Sequence, residues 1–245
     1  MTSIRRIALA TALAIVLTAC GGDGEEGTAT AEPIAPIAAP AGQSWVETAV
    51  ETPEGGILLG NPDAPIKLVE YVSHTCPACA AFAAEAADPL KEKYVSTGVV
   101  SYEMRNQVHN ALDLALVRLT RCSGPAAAIP LAEQVWANLP QIMAPVQQNP
   151  QAIEAAMSLP EAQRFPTLAE STGLSEFFAA RGISRDQQVQ CLSDFSAMTA
   201  IADRSEKQSQ ELNVTGTPTF ILNGRNIGSL DWATVEANLQ NAGAR

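Results

Sequence analysis

The feature that most constrains the fold is a pair of cysteines placed just after an apolar segment. Residues Ile66–Val72 form a nearly continuous apolar and β-branched run, which is typical of a strand buried on both faces of a sheet. A Cys-x-x-Cys motif, Cys76 to Cys79, follows, and an alanine-rich stretch predicts a helix over about residues 76–94. Residues 99–104 predict a second strand. This order indicates a βαβ unit on a parallel sheet.

The rest of the chain predicts a block of helices and then a β-hairpin. Over residues 110–212 apolar side chains recur at helical spacing, and prolines divide the block into short pieces. Strand character returns at Thr219–Leu222, and Asn223-Gly224 is a strong two-residue hairpin turn. A last helix is predicted from about residue 229. We therefore expect an α/β fold with the order βαβ, helical block, ββα.

The N-terminal residues predict export and lipidation. Residues 1–20 carry two arginines and a short apolar run, and they end in Leu-Thr-Ala-Cys at Cys20. That ending resembles the lipobox of a bacterial lipoprotein signal peptide, with an ordinary secretory signal as the alternative. A glycine rather than an aspartate after Cys20 slightly favours the outer membrane. Residues 21–43 are poor in large apolar side chains, so we predict a disordered tether there.

Charge and composition narrow the function classes. The chain has 15 basic and 26 acidic residues, a net charge of −11, and no basic stripe, so we predict no nucleic-acid binding. Beyond the signal, no apolar run reaches membrane-spanning length, and the membrane contact that we expect is the lipid anchor. The roughly 200 remaining residues suffice for one sizeable domain, which we expect to be a monomer.

The cysteine pair points to redox chemistry. Amides at a helix N-terminus stabilise negative charge, which favours the thiolate of Cys76 as an exposed nucleophile, with Cys79 as the buried resolving thiol. A zinc site is one alternative, but structural zinc needs four ligands and no second Cys-x-x-Cys or His pair completes it. A metal site with His74 and a purely structural cysteine pair are further alternatives. We predict neither a metal nor a cofactor.

Two motifs resemble the DsbA-like branch of the thioredoxin superfamily. They are Glu-Tyr-Val-Ser-His-Thr-Cys-Pro-Ala-Cys at residues 70–79 and Val-Thr-Gly-Thr-Pro-Thr-Phe at residues 214–220. The resemblance covers about residues 56–243 and is weak between the motifs. It implies a thioredoxin-like domain interrupted by a helical domain. The implied boundaries are 44–109 and 213–245 for the thioredoxin-like domain and 110–212 for the insertion.

The resemblance also implies roles for individual residues. Cys76 and Cys79 match the redox pair. Pro218 matches a cis-proline that faces the disulfide and helps to bind the extended substrate backbone, and Thr217 before it touches the site and tunes its potential. Glu70 matches a buried acid that exchanges protons with the resolving cysteine. The alternative for Glu70 is an ordinary strand residue whose carboxylate reaches solvent.

The chain departs from the family pattern inside the motif, where Pro77-Ala78 replaces Pro-His. Because Ala78 cannot help to stabilise the thiolate, we expect a weaker oxidant; His74 is predicted to substitute in part, or to be a surface histidine without a role. Cys122 and Cys191 match a second, structural disulfide found in some members. Two separate buried thiols are the alternative there.

These observations predict a thiol–disulfide oxidoreductase on the periplasmic side of the cell envelope. It would pass its disulfide to exported protein thiols through a mixed disulfide, as an oxidant, and a membrane or periplasmic redox partner would recycle it. A disulfide reductase or isomerase is the first alternative. The family's isomerases are usually dimers built through an extra N-terminal domain, and only a tether is predicted here. A lipoprotein that binds metal or a partner without turnover is the second alternative.

Overall fold

A mixed sheet of six strands lies at the centre of the part of the chain that the computed structural model describes, residues 31–245. The strands are β1 (Ala49–Glu51), β2 (Ile57–Leu59), β3 (Ile66–Val72), β4 (Val100–Asn106), β5 (Thr219–Leu222) and β6 (Arg225–Gly228). The helices are α1 (Pro77–Pro89), α2 (Ala111–Arg121), α3 (Pro125–Ala137), α4 (Leu139–Gln148), α5 (Gln151–Met157), α6 (Glu161–Ser171), α7 (Leu174–Ala179), α8 (Arg185–Ser193), α9 (Phe195–Glu211) and α10 (Trp232–Asn241).

The strand order is β1-β2-β4-β3-β5-β6. Strands β3 and β4 pair in parallel, as the predicted βαβ unit requires, and the other neighbours are antiparallel. Along β3 only Lys67, near its start, is exposed. Strands β1 and β2 have three residues each and are not predicted from the sequence, because so short a segment shows no usable alternation.

Helices α1, α3 and α10 pack on one face of the sheet and enclose the larger core. Phe82 of α1 lies against Phe220 of β5, with ring centroids 4.7 Å apart. The helix predicted over residues 76–94 consists of α1 and a wider π-helical turn, Leu90–Tyr94. Pro89 has no amide hydrogen to donate to the preceding turn, which explains the change of helix type there.

Helices α2–α9 form the predicted helical insertion and have a core of their own. Leu116, Leu168 and Phe178 are fully buried in it. A disulfide joins Cys122, just after α2, to Cys191 of α8, with 6.0 Å between the Cα atoms. The helical block is thus cross-linked within itself, over a sequence separation of 69 residues.

Residues 31–43 lie against the domain, so the disordered tether predicted for residues 21–43 is wrong from residue 31 onward. Backbone N–H groups of Ala31, Ile34 and Ile37 donate to carbonyl oxygens of Asn241, Gly243 and Thr97 at 2.8–2.9 Å. The composition argument counts apolar side chains, whereas main-chain hydrogen bonds hold this segment. The predicted signal peptide and Cys20 lie outside the described residues. Within residues 31–245, no helix has both the length and the apolar character needed to cross a bilayer.

Candidate active site

The sheet brings the two sequence motifs to one edge. Strands β3 and β5 are antiparallel, and Tyr71 near the end of β3 is paired with Thr219 at the start of β5. The loop that leaves β3 toward Cys76 therefore meets the loop that enters β5 from Pro218. Two motifs that are far apart in sequence are neighbours because the helical insertion leaves after β4 and returns before β5, and both of these strands flank β3.

Cys76 caps the N-terminus of α1. Its sulfur accepts a hydrogen bond from the backbone N–H of Cys79 at 3.4 Å, where the helix dipole favours negative charge. Pro77 occupies the first turn, and Pro77 and Ala78 are exposed. Both thiols are free; Cys76 is half-buried, whereas Cys79 is 1% exposed. The exposure places Cys76 as the thiol that a macromolecule can reach and Cys79 behind it.

The proline loop faces the exposed thiol. The Thr217–Pro218 peptide bond is cis, and the Cys76 thiol donates to the carbonyl oxygen of Thr217 at 3.3 Å. The Thr219 hydroxyl donates to the carbonyl of Gly216 at 2.7 Å and closes the turn. A chain that reached Cys76 would therefore lie next to the backbone of Thr217 and Pro218.

Glu70 is buried beneath the cysteine pair. It is 3% exposed, which excludes the alternative in which its carboxylate reaches solvent. The hydroxyl of Tyr102 donates to Glu70 Oε2 at 2.6 Å. Burial raises the pKa of Glu70 to about 8, against the smaller opposing effect of that hydrogen bond. A carboxyl group with such a pKa can accept and donate a proton near neutrality.

The charge of Glu70 acts on the thiol of Cys79. The pKa of the Cys79 thiol is raised, first by burial and next by the negative charge of Glu70. Glu70 therefore favours the protonated form of Cys79, and its own raised pKa lets it supply the proton.

His74 does not have either of the surroundings predicted for it. Its side chain is fully buried, with its ring nitrogens 3.4 Å from Asn106 Nδ2 and 3.3 Å from Thr120 Oγ1. Burial, helped by the positive charge of Arg121, lowers the pKa of His74 to about 3. The imidazole is thus neutral at pH 7, and it cannot supply the positive charge that would replace the missing histidine of the motif.

Two residues of the helical insertion hold the loop before Cys76, and sequence reasoning missed both. Asp113 is fully buried; its Oδ1 accepts from the backbone N–H of His74 at 2.7 Å and its Oδ2 from that of His109 at 2.9 Å. The indole of Trp136 donates to the carbonyl of Ser73 at 3.1 Å. In the sequence, Asp113 looks like an ordinary acid in the first turn of a helix, so no local signal marks it.

No metal site forms in the part of the chain that is described: residues 31–245 contain no group of three or more His, Cys, Asp or Glu side chains placed to hold an ion. The chemistry available at this edge of the sheet is that of two thiols, a buried carboxyl group and an exposed loop backbone. Together they suit sulfur exchange with proton transfer.

Known proteins are similar to this chain in sequence and in fold. A family model described as Thioredoxin matches residues 52–241. The crystal structure of a protein-disulfide isomerase from Novosphingobium aromaticivorans superposes with a TM-score of 0.69 and 31% identity, covering 74% of this chain and 94% of that one. Wolbachia pipientis alpha-DsbA1, 23% identical over 78% of this chain and 90% of its own, has the same fold with a TM-score of 0.62.

Curated relatives are longer than this chain. A Rickettsia bellii protein named as a protein-disulfide oxidoreductase is 26% identical over 171 residues, which is 70% of this chain and 58% of that protein. One from Rickettsia conorii is 24% identical over 80% of this chain and 64% of its own length. The family match takes in both sequence motifs and the helices between them, and the chain therefore belongs to the thioredoxin family.

Proposed function

We propose that this protein is an enzyme that exchanges a Cys76–Cys79 disulfide with protein thiols, in the oxidising direction. The observation that carries the proposal is the difference between the two thiols: Cys76 is accessible, whereas Cys79 is buried next to a carboxyl group with a raised pKa. A reachable thiol caps α1 opposite the Thr217–Pro218 loop, while Cys79 is buried behind it beside the titratable Glu70. The names of the Novosphingobium and Rickettsia relatives support the same chemistry.

The reaction proceeds in two sulfur exchanges. A client thiolate attacks the sulfur of Cys76, the Cys76–Cys79 bond breaks, and Cys79 leaves as a thiolate that takes a proton from Glu70. A second client thiolate then attacks the client sulfur of the mixed disulfide and displaces the Cys76 thiolate. The client loses two electrons and becomes a disulfide, and the protein gains both electrons as a dithiol.

Clients are proposed to bind as extended chains across the proline loop. An open groove of about 620 Å³ begins at Val214 and Thr215 of that loop and runs beside α9, with Gln107 and His109 on its other side. The groove is open rather than enclosed, and its lining combines polar side chains with apolar ones such as Val108 and Ala202. Such a surface fits unfolded, exported protein thiols of varied sequence better than a small ligand.

The location and recycling of the enzyme are part of the same proposal. The lipobox-like ending at Cys20 supports a lipid anchor on the periplasmic side of the envelope, with the outer membrane slightly favoured. A membrane or periplasmic redox protein would reoxidise the dithiol. Metabolic labelling with a radioactive fatty acid tests the anchor: wild type incorporates the label, Cys20→Ser does not, and an unlabelled wild type contradicts this part of the proposal.

A trapping experiment tests the enzymatic function. Cys79→Ala leaves Cys76 without its resolving thiol, so client proteins accumulate as mixed disulfides that a reductant releases on a gel. Cys76→Ala is the matched control and captures none. If Cys79→Ala captures no client in cells that secrete disulfide proteins, the protein acts instead as a binding lipoprotein without turnover.

The reducing direction, as a reductase or isomerase, is the second candidate. The exposed Ala78 and the neutral His74 leave the thiolate without a nearby imidazolium, and the Novosphingobium relative is named an isomerase. Equilibration with glutathione separates the two. A reduction potential of the Cys76–Cys79 couple of roughly −120 to −180 mV supports the oxidising function. A value near or below about −230 mV supports the reducing function instead.

A further inference from the structure

Glu70 needs a route to water, because each reaction cycle changes its protonation and its side chain is buried. The Tyr102 hydroxyl is its hydrogen-bond donor, and burial and the neighbouring Glu70 raise the pKa of that tyrosine well above its ordinary value. Tyr102 therefore keeps its proton and cannot pass one on by ionising. The proton must enter and leave along another path.

A small chamber is lined both by Glu70 and by side chains that reach the protein surface. It has a volume of about 20 Å³ and lies between the sheet, α1 and α3. Among its lining groups Glu70 and Tyr102 are buried and therefore mark the inner end, whereas Lys91 and Glu133 are each about a quarter exposed and mark the outer end. A cavity of this size holds one water molecule when polar groups are present to bind it. The remaining walls are apolar, including Phe82, Ala83 and Trp136.

An ion pair stands at the outer end. Lys91 Nζ is 3.0 Å from both carboxylate oxygens of Glu133, and the two side chains are 27% and 25% exposed. The negative charge of Glu133 also contributes to the raised pKa of Tyr102, so this carboxylate acts across the chamber on its inner end. The titratable and charged groups around Glu70 are thus Cys79 and Tyr102, which interact with it directly, and Lys91 and Glu133, which line the same chamber.

We propose that the chamber is the proton route of the active site and that Glu133 is its outer positioning residue. One water in the chamber takes a proton at the Glu133 end and gives one to the Glu70 carboxylate, and the reverse transfer returns it; only O–H bonds form and break. Lys91 holds the Glu133 carboxylate over the entrance. The inference rests on the proposed function, since it assigns the path of the proton that Glu70 exchanges with Cys79.

The test compares turnover with redox equilibrium in four variants of the full-length enzyme. Glu133→Gln removes the carboxylate, Ala83→Ile fills the chamber, and Lys91→Met breaks the ion pair but keeps the carboxylate. Glu236→Gln is the matched control, because Glu236 also pairs with a lysine, Lys93, at 3.3 Å and is 23% exposed, yet lies outside the chamber. Oxidation of a reduced dithiol peptide by glutathione disulfide is followed from pH 6 to 9 in H₂O and D₂O.

We expect Glu133→Gln and Ala83→Ile to slow turnover about tenfold and to enlarge the solvent isotope effect, with the equilibrium constant against glutathione within about twofold of wild type. Glu236→Gln keeps turnover, whereas Lys91→Met, which retains the carboxylate but no longer holds it over the entrance, slows turnover by less than Glu133→Gln. The proposal is overturned if Glu133→Gln turns over like Glu236→Gln, if Lys91→Met is slowed as much as Glu133→Gln, or if the equilibrium constant falls in parallel with the rate. If the wild-type enzyme itself does not oxidise the peptide, the result contradicts the proposed oxidising function and not the proton route alone.

Discussion

At the scale of single residues, Glu70 makes the stability of the protein depend on pH. Its pKa is about 8 in the folded protein, against 4.5 for an ordinary glutamate. Folding therefore favours the protonated form, and the contribution of Glu70 to stability is full below about pH 4.5 and is lost as the pH rises through 8. The loss is of the order of 1.4 kcal/mol for each unit of pKa difference.

Replacement of Glu70 by glutamine isolates this effect. We expect the free energy of unfolding of wild type to fall by a few kcal/mol, relative to Glu70→Gln, between pH 5 and pH 8. Urea unfolding of the dithiol form at several pH values measures the difference. The contribution of His74 to the stability has the opposite pH dependence and is lost as the pH falls from 6.5 toward 3. Because His74 is present in both proteins, this contribution cancels when the two are compared. Parallel pH profiles would contradict a buried, proton-binding Glu70.

At the scale of elements, Asp113 links α2 to the loop between β3 and α1. Its carboxylate accepts two backbone N–H groups, from His74 and His109, in a fully buried position. The loop that carries the nucleophile is thereby held by the helical insertion and not by its own strand and helix alone. Burial raises the pKa of Asp113, and the hydrogen bonds oppose that effect.

Asp113→Ala should loosen this loop. We expect a loss of about 2–4 kcal/mol in the free energy of unfolding, because the buried N–H of His74 and the half-buried N–H of His109 lose their acceptor. Capture of a client thiol at Cys76 should also be slower. Asp113→Asn retains one carbonyl oxygen and serves as the partial-loss control. Denaturant unfolding gives the stability, and stopped-flow reaction with a small thiol gives the rate. An unchanged rate in a folded Asp113→Ala would show that the loop needs no support from α2.

At the scale of the whole molecule, the Cys122–Cys191 disulfide and the Cys76–Cys79 pair belong to different parts of the fold. The disulfide cross-links α2 and α8 within the helical core, and the redox pair lies on the sheet domain. Neither Cys122 nor Cys191 is needed for sulfur exchange in the proposed mechanism. Their bond is expected to contribute stability by limiting the unfolded chain.

The double variant Cys122→Ala/Cys191→Ala tests this separation. A bridge that closes a loop of 69 residues stabilises a protein by roughly 4 kcal/mol in the chain-entropy model, so thermal and urea unfolding should shift by about that amount. Peptide oxidation at 25 °C should stay within about twofold of wild type. If the double variant remains folded but no longer oxidises the peptide, the second disulfide takes part in the reaction, contrary to this prediction.

Much of this protein can be predicted from residues that are close together in sequence. The β-branched run of β3, the cysteine that caps α1 and the Asn223-Gly224 turn each lie within a few consecutive residues, and the structure has all three where they were expected. The cis-proline and the burial of Glu70 also agree with the structure. Those came from the resemblance to a family, because residue types alone left Glu70 with two alternatives.

Which distant residues share the site depends on how the elements pack in three dimensions. Asp113 meets the backbone of His74 across 39 positions of sequence, and Lys91 meets Glu133 across 42. The burial that makes His74 neutral comes from Thr120, Asn106 and Trp136, on three other elements. Residues 31–43 are held by backbone carbonyls of Asn241 and Gly243, about 200 positions away, and of Thr97. Such contacts form when elements pack together, and the local sequence around one residue does not indicate which distant residue it will contact.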